Sequence, residues 1–541
     1  MLRIFTLSLL PLVLAGCLQQ QARQDDAAAT EAVVADAAAP AQPAEPVAPL
    51  WLTPDLPGAL CEPPQDLWDR IRTGMALQDR EHPGIRNDLE WYASHQAYLD
   101  RVATRATPYL HLLVEAVEER NMPTEIALLP VVESAFQPFA YSHGRAAGLW
   151  QFIPGTGRRF DLKQNWWYDG RRDVAASTRA ALDYLEYLRD HFDGDWLLAL
   201  AAYNSGEGTV QRAVARNKAR GKPTDFWSLD LPRETRGYVP KLLAISRLVT
   251  EPETHGVTLE PLPNEPFLTA VELDSQIDLA LAAELAEISL EEIYLYNPGF
   301  NRWATDPDGP HQLLLPIERV AGFKERLADY PPERRVRWER HRVKSGESLL
   351  QIAQNYRTTV ELVKSVNGLR GNTIRAGHTL TIPVARQKLA SYRLSEEQRL
   401  LATQNQAREG KRVDYLVRGG DSLWSIARRY DVGVNALARW NGMAPRDPLM
   451  PGRKLVIWTD AAEEKVASTN PARFTHPFSS STRQRIGYIV RSGDSLATIS
   501  QRFRVSVDNV MRWNKLDGKK YLQPGQRLTL YVDVIRQSGN L

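Results

Sequence analysis

The sequence predicts a multidomain chain: a mainly α-helical domain, then small α+β modules of the pattern strand–helix–helix–strand. Three observations carry this. Residues 60–250 set apolar side chains at helical spacing and hold few alternating Val-, Ile- or Thr-rich runs. A short motif recurs three times after residue 340. A chain of 541 residues also exceeds what one core organises, so three or more domains are expected.

The N-terminus reads as a targeting segment. Met1-Leu2-Arg3 is a short basic start, and Ile4 to Leu14 is an apolar run too short to span a membrane as a mature helix. It ends in Leu14-Ala15-Gly16-Cys17. Residues 1–17 thus resemble a bacterial lipoprotein signal, which implies lipidation of Cys17 and a membrane anchor. An ordinary secretory peptide with an incidental Cys is the alternative. Leu18, rather than Asp, follows the Cys, which by the same resemblance implies the outer membrane, periplasmic side. Residues 18–50 are Ala, Gln, Pro, Asp and Glu with few large apolar side chains, the composition of a disordered tether. Fully extended, it would reach at most about 110 Å. Cys61 is then the one thiol left in the mature chain, so no disulfide framework is expected.

Charge divides the chain. Residues 331–541 hold 37 Lys+Arg against 18 Asp+Glu, and residues 1–330 hold 30 against 47. A basic C-terminal half seeks an acidic polymer. Nucleic acid is set aside, because an exported, anchored chain meets little of it; anionic cell-wall material fits better.

The helical elements follow in order. Asp88 to Arg105 forms one periodic run, and Pro108 to Arg120 repeats it with Leu110, Leu113, Val114 and Val117 on one stripe. Asn121 and Pro123 mark a break, and a helix is expected from Pro123 toward Ser134. Ala175 to His191 and Asp195 to Ala202 are two more helices, the second closed by the Gly206 signal.

Within the Pro123–Ser134 helix, Glu133 sits among Val131, Val132, Ala135 and Phe136. Apolar neighbours disfavour the charged carboxylate, and so does the C-terminal end of a helix dipole. Both suit a general acid. The same pattern also describes a partly solvated glutamate at a helix end with no role. Glu125, two turns earlier, is the nearby alternative acid.

Four pieces then stand in order: Glu133-Ser134; Gly148-Leu149-Trp150-Gln151; Ala202-Tyr203-Asn204 with Gly206; and Tyr238-Val239-Pro240-Lys241. Over roughly residues 110–245 the chain resembles the family 1 lytic transglycosylases, which share the fold of goose-type lysozyme. Many relatives have Met where this chain has Trp150. The resemblance implies a lysozyme-like domain over 60–250 that cleaves the β-1,4 bond between N-acetylmuramic acid and N-acetylglucosamine of peptidoglycan and leaves a 1,6-anhydro end. It implies Glu133 as sole catalytic acid and then base. It implies Ser134 and Tyr238 around that carboxyl, and Gln151, Tyr203 and Asn204 on the sugar. Loop capping is the plainer reading of Gln151 and Asn204, and core packing that of Tyr203 and Trp150. Trp166, Trp167 and Tyr168 suit either a sugar-stacking wall or the core. Hydrolysis, or a dead domain that only tethers the wall, are the alternative functions. No His/Cys cluster has metal spacing, so neither metal nor other cofactor is expected.

The repeats begin with Ser345-Gly346-Glu347-Ser348-Leu349, which recurs as Gly419-Gly420-Asp421-Ser422-Leu423 and Ser492-Gly493-Asp494-Ser495-Leu496. An Asn follows nineteen positions after each Ser: Asn367, Asn441 and Asn514. The unit is very similar to the LysM module, which implies binding of N-acetylglucosamine-containing glycans. Expected modules are 340–385, 412–459 and 486–533, joined by linkers at 386–411 and 460–485. Glycan contacts are expected, by resemblance, from Gly346, Ser348 and Asn367, from Gly420, Ser422 and Asn441, and from Gly493, Ser495 and Asn514. Turn chemistry is the plainer reading of these residues. A degenerate copy is expected at 268–320, with Asp278 in place of Ser and Asn297 nineteen positions on.

Overall fold

The fold is that of a computed structural model, which describes residues 64–459 and most of 483–533. The expected signal, Cys17, the tether, Cys61, Gly493 and nearly all of the 460–485 linker lie outside the described residues.

The first region is helical. It comprises α1 (Leu67–Thr73), α2 (Pro83–Ala93), α3 (Gln96–Ala106), α4 (Leu110–Glu118), α5 (Leu129–Ser134), α6 (Pro154–Arg159), α7 (Val174–His191), α8 (Trp196–Ser205), α9 (Glu207–Lys218) and α10 (Arg233–Thr250). Their apolar faces share one core, in which Ile71, Ile85, Leu110, Leu113, Leu185 and Leu200 are fully buried. α10 runs against α2, α8 and α5, so it spans the region and braces the short α5.

Two expected helices are interrupted. The run from Asp88 to Arg105 divides at Ser94 and His95 into α2 and α3. The Pro123–Ser134 helix is a 3-10 turn over Thr124–Leu128, then α5. Pro130 explains the change. It has no N–H to give, so it fits the first turn of a new helix and would break one running through.

Each later module pairs two antiparallel strands across two helices. The degenerate copy has β1 (Leu268–Glu272), α11 (Leu279–Ala286), α12 (Leu290–Tyr296) and β2 (Gln312–Pro316), then α13 (Ile317–Ala328). The first repeat has β3 (Arg337–Arg342), α14 (Leu349–Asn355), α15 (Val360–Val366) and β4 (Thr379–Val384). After α16 (Glu396–Gln404) the second has β5 (Lys411–Leu416), α17 (Leu423–Arg429), α18 (Val434–Trp440) and β6 (Lys454–Thr459). The third has β7 (Arg483–Ile489), α19 (Leu496–Arg502), α20 (Val507–Trp513) and β8 (Arg527–Asp533). The fold class read from the sequence is the fold observed.

The segment expected as a linker at 386–411 is folded. Tyr392 is fully buried, and its hydroxyl donates to Asp278 at 2.9 Å. α16 buries Arg399, Thr403 and Gln404. Its polar composition suggests a solvated stretch of chain, yet Tyr392 and Gln404 hydrogen-bond to Asp278 and Asn441 of the neighbouring modules, and Arg399 and Thr403 to carbonyls of the segment itself.

Candidate active site

Local backbone sets the site. α5 ends at Ser134, and Ala135 (φ 50°) and Phe136 (φ 53°) take left-handed conformations that turn the chain sharply away. Glu133 therefore stands on the last turn of a six-residue helix. α10 delivers Tyr238 opposite. Pro240 lies inside α10 and leaves the Arg236 carbonyl without its helical donor, a local irregularity beside Tyr238.

The Tyr238 hydroxyl donates to Glu133 Oε1 at 2.5 Å. Glu133 keeps some of its surface open, whereas Tyr238 is 5% exposed, so the pair has one side toward solvent. Burial pushes the Glu133 carboxyl up to about 7. The Tyr238 hydrogen bond opposes that rise, the charge of Glu234 adds to it, and Lys241 again opposes it. A carboxyl poised there can give up a proton near neutrality and take one back.

The strand-like turn at 140–152 closes the site from the other side. Gly148 (φ 82°) packs against the Arg171 carbonyl, which a Cβ would meet at 2.0 Å, so only glycine fits. Ser134 does not reach the carboxyl as expected. Its hydroxyl lies 2.9 Å from the Leu149 carbonyl and 3.2 Å from that of Pro130, tying the turn to α5. Tyr203 donates to the Trp150 carbonyl at 2.8 Å and lies close enough to Glu133 to feel its charge. Gln151 (φ 49°) donates its amide to Gly148, and Asn204 accepts from Thr235 at 2.8 Å. Trp150 is fully buried and donates its indole N–H to Thr178 at 2.9 Å; it is a core residue. Trp167 and Tyr168 are core as well, at 4% and 3% exposure.

Sequence reasoning assigned nothing to Glu234 or Lys241. Glu234 lies four residues before Tyr238 and Lys241 three after it, a helical spacing that puts all three on one face of α10. Among the described residues no group of three or more His, Cys, Asp or Glu side chains is placed to hold a metal, and no helix is long and apolar enough to cross a membrane.

In the modules the asparagines bond to backbone. Asn441 is fully buried; its amide donates to the Leu437 and Val456 carbonyls at 2.8 Å, and its oxygen accepts from Val456 N at 2.7 Å. Asn367 makes the same three bonds to Val363 and Thr381, and Asn514 to Val510 and Thr529. Asn297 does so with Ile293 and Leu314. Each fastens the end of the second helix to the closing strand; for the fully buried Asn441 this takes the place of the expected glycan contact. Both amide donors are spent on carbonyls in every copy; Asn441 and Asn297 are also buried, whereas Asn367 and Asn514 stay half-buried.

Ser348, Ser422 and Ser495 cap the first helix of their modules and remain exposed, and Gly346 (φ 82°) and Gly420 (φ 86°) make exposed turns before them. In the degenerate copy Asp278 occupies the same cap, but it is fully buried beneath Tyr392.

Comparison with known proteins agrees with this division. Residues 113–226 match the family described as Transglycosylase SLT domain, residues 267–331 that described as Lytic transglycosylase MltD, LysM-like domain, and residues 341–383, 415–458 and 488–530 that described as LysM domain. The fold and its modules thus define a lytic transglycosylase. Membrane-bound lytic murein transglycosylase D of Escherichia coli K12 is 39% identical over 419 residues, 74% of this chain and 87% of the relative. The chain belongs to the membrane-bound lytic murein transglycosylase D family. A putative tributyltin chloride resistance protein of Alteromonas is 39% identical over 191 residues, covering 35% of this chain and 90% of that protein. An inactive mutant of lytic transglycosylase Slt from Pseudomonas aeruginosa is similar over 28% of this chain and 25% of its own, at 26% identity and a TM-score of 0.22.

Proposed function

We propose that this lytic transglycosylase acts on peptidoglycan, cleaves the β-1,4 bond between N-acetylmuramic acid and N-acetylglucosamine, and uses Glu133 as acid and then base. The observation that carries the reading is the Glu133 carboxyl, raised to about 7 by burial and held by Tyr238 on a partly open face. Ordinary glycosidases need two carboxylates. Here the hydrogen-bond partner of Glu133 is a tyrosine, and the second oxygen nucleophile comes from the substrate. Glu133 protonates the glycosidic oxygen as the C1–O bond breaks, with the substrate N-acetyl group assisting. Its carboxylate then takes the proton of the C6 hydroxyl, whose oxygen bonds to C1 and closes the 1,6-anhydro ring. No water enters the product. Gln151, Tyr203 and Asn204 line the sugar side, and Ser134 acts through the turn it fastens.

The LysM repeats retain the glycan. Their basic composition and the exposed Gly346, Ser348, Gly420, Ser422 and Ser495 support this, as does Trp424, 61% exposed with the Arg428 guanidinium 5.4 Å from its ring. Lipidation at Cys17 would hold the enzyme on the outer membrane, facing the periplasm. Mass spectrometry of digested wall tests the chemistry. Anhydro ends are expected from the native enzyme and none from Glu133→Gln, which still pellets with the wall. Products carrying one added water would identify a hydrolase instead, and an inactive native chain a tethering protein.

A further inference from the structure

The second LysM module is docked on the turn that closes the site. Asp447 lies in the loop between α18 and β6. Tyr141 donates to it at 3.1 and 3.2 Å, and Arg145 pairs with it at 2.8 Å. Its own loop is braced by Ala444 N, 2.8 Å from Oδ2. The Asp447 side chain is only 12% exposed.

The other side of this contact leads to the site in few steps. Tyr141 bridges to Ala147, and Ala147 to Phe152. The Arg145 carbonyl accepts from Arg171 at 2.8 Å, and Gly148 packs on the Arg171 backbone. Leu149 and Trp150 then bind Ser134 and Tyr203 through their carbonyls. α16 makes a second brace: Arg399 stands over the Phe139 ring at 4.3 Å, and Gln404 donates to Asn441 at 2.9 Å. The first module has Thr373 at the position of Asp447, exposed, and the third has Lys520. Neither side chain carries the negative charge that a carboxylate presents to the Arg145 guanidinium and the Tyr141 hydroxyl.

We propose that Asp447 is a positioning residue for the transglycosylase reaction: from the second LysM module it holds the 140–147 turn, and through it sets Gly148–Gln151 against Ser134, Tyr203 and Glu133. This module is therefore part of the catalytic unit as well as a glycan anchor. The proposal rests on Glu133 being the acid and base, and the two can fail separately. Absence of anhydro products from the native enzyme removes that reading, whereas this one is judged by ratios to the native rate.

The test uses the full chain on soluble glycan strands. Asp447→Ala is expected to lower kcat by about 3- to 10-fold with KM within about twofold, as expected for coupling through a packed contact. Tyr141→Phe is expected to lower it less. The double variant should be no slower than Asp447→Ala, because both changes act on one contact. Unchanged or raised kcat in Asp447→Ala overturns the proposal, and so does a lower melting temperature alone. Strictly multiplicative losses in the double variant also overturn it.

Discussion

Two glutamates eight positions apart have opposite surroundings. Glu125 is 3% exposed, and its carboxylate accepts from Leu77 N at 2.9 Å and from Ala76 N at 3.1 Å. Burial raises its pKa, and those backbone bonds pull against the rise. Glu133 has one hydroxyl partner and one open side. Burial alone therefore does not make a working acid. Donors that bind the charged form fix a carboxylate as structure; a desolvated carboxyl with few donors and an approach for substrate can exchange a proton.

The largest expected effect tests the open member of the pair. Glu133→Gln should lower turnover by about 10² to 10⁴-fold, the usual scale of general acid–base catalysis, as read from muropeptide release. Its fold should not suffer. The folded carboxyl titrates near 7, above the usual 4.5, so the folded state binds the proton more tightly. That contribution is complete below about pH 4.5 and is lost as pH rises through 7. At pH 8 the Gln variant should accordingly unfold at higher urea than the native enzyme, by about 1 kcal/mol. Native cleavage should fall on the alkaline side with an apparent pKa near 7, since the first step needs the protonated form.

Glu125→Ala should do the reverse. It strands the Ala76 and Leu77 amides and should cost about 1–3 kcal/mol of stability in urea unfolding, while turnover per folded molecule stays within about twofold. A loss of turnover as deep as that of Glu133→Gln would erase the contrast between the two residues. Tyr238→Phe sharpens it. Removing the hydroxyl should slow turnover by about 10-fold, the weight of one hydrogen bond to a charged group, and move the alkaline limb of the pH profile upward. A downward shift would mean that the bond favours the neutral acid. Of the changes beside Glu133, Ser134→Ala should have the smallest effect, about 1 kcal/mol of stability and a few-fold in rate, because it loosens the 148–152 turn without touching the carboxyl.

Much of this was legible in the sequence. The helical region, the repeat unit and the ordered set of motifs each rest on local patterns: periodicity, glycine at turns, and a motif that repeats in register. The misreadings share a cause. The motifs offer Ser134 to the Glu133 carboxyl and Asn441 to a glycan because polar residues in motifs look available, yet their partners are backbone carbonyls at Leu149 and Val456, fifteen positions away in each case. The 386–411 segment looked solvated because its polar partners, Asp278 and Asn441 among them, lie far off in sequence.

The sequence by itself determined which elements form, since helix stripes, caps and turn glycines act over a few residues. It also offered Glu133 as the candidate acid, because its apolar neighbours are adjacent in the chain. Tertiary structure alone decided how that carboxyl is held: Tyr238 comes from 105 positions on, and Asp447 reaches Tyr141 across 306. Hydrogen bonds and desolvation depend on distance in space, and only the packed chain sets that distance.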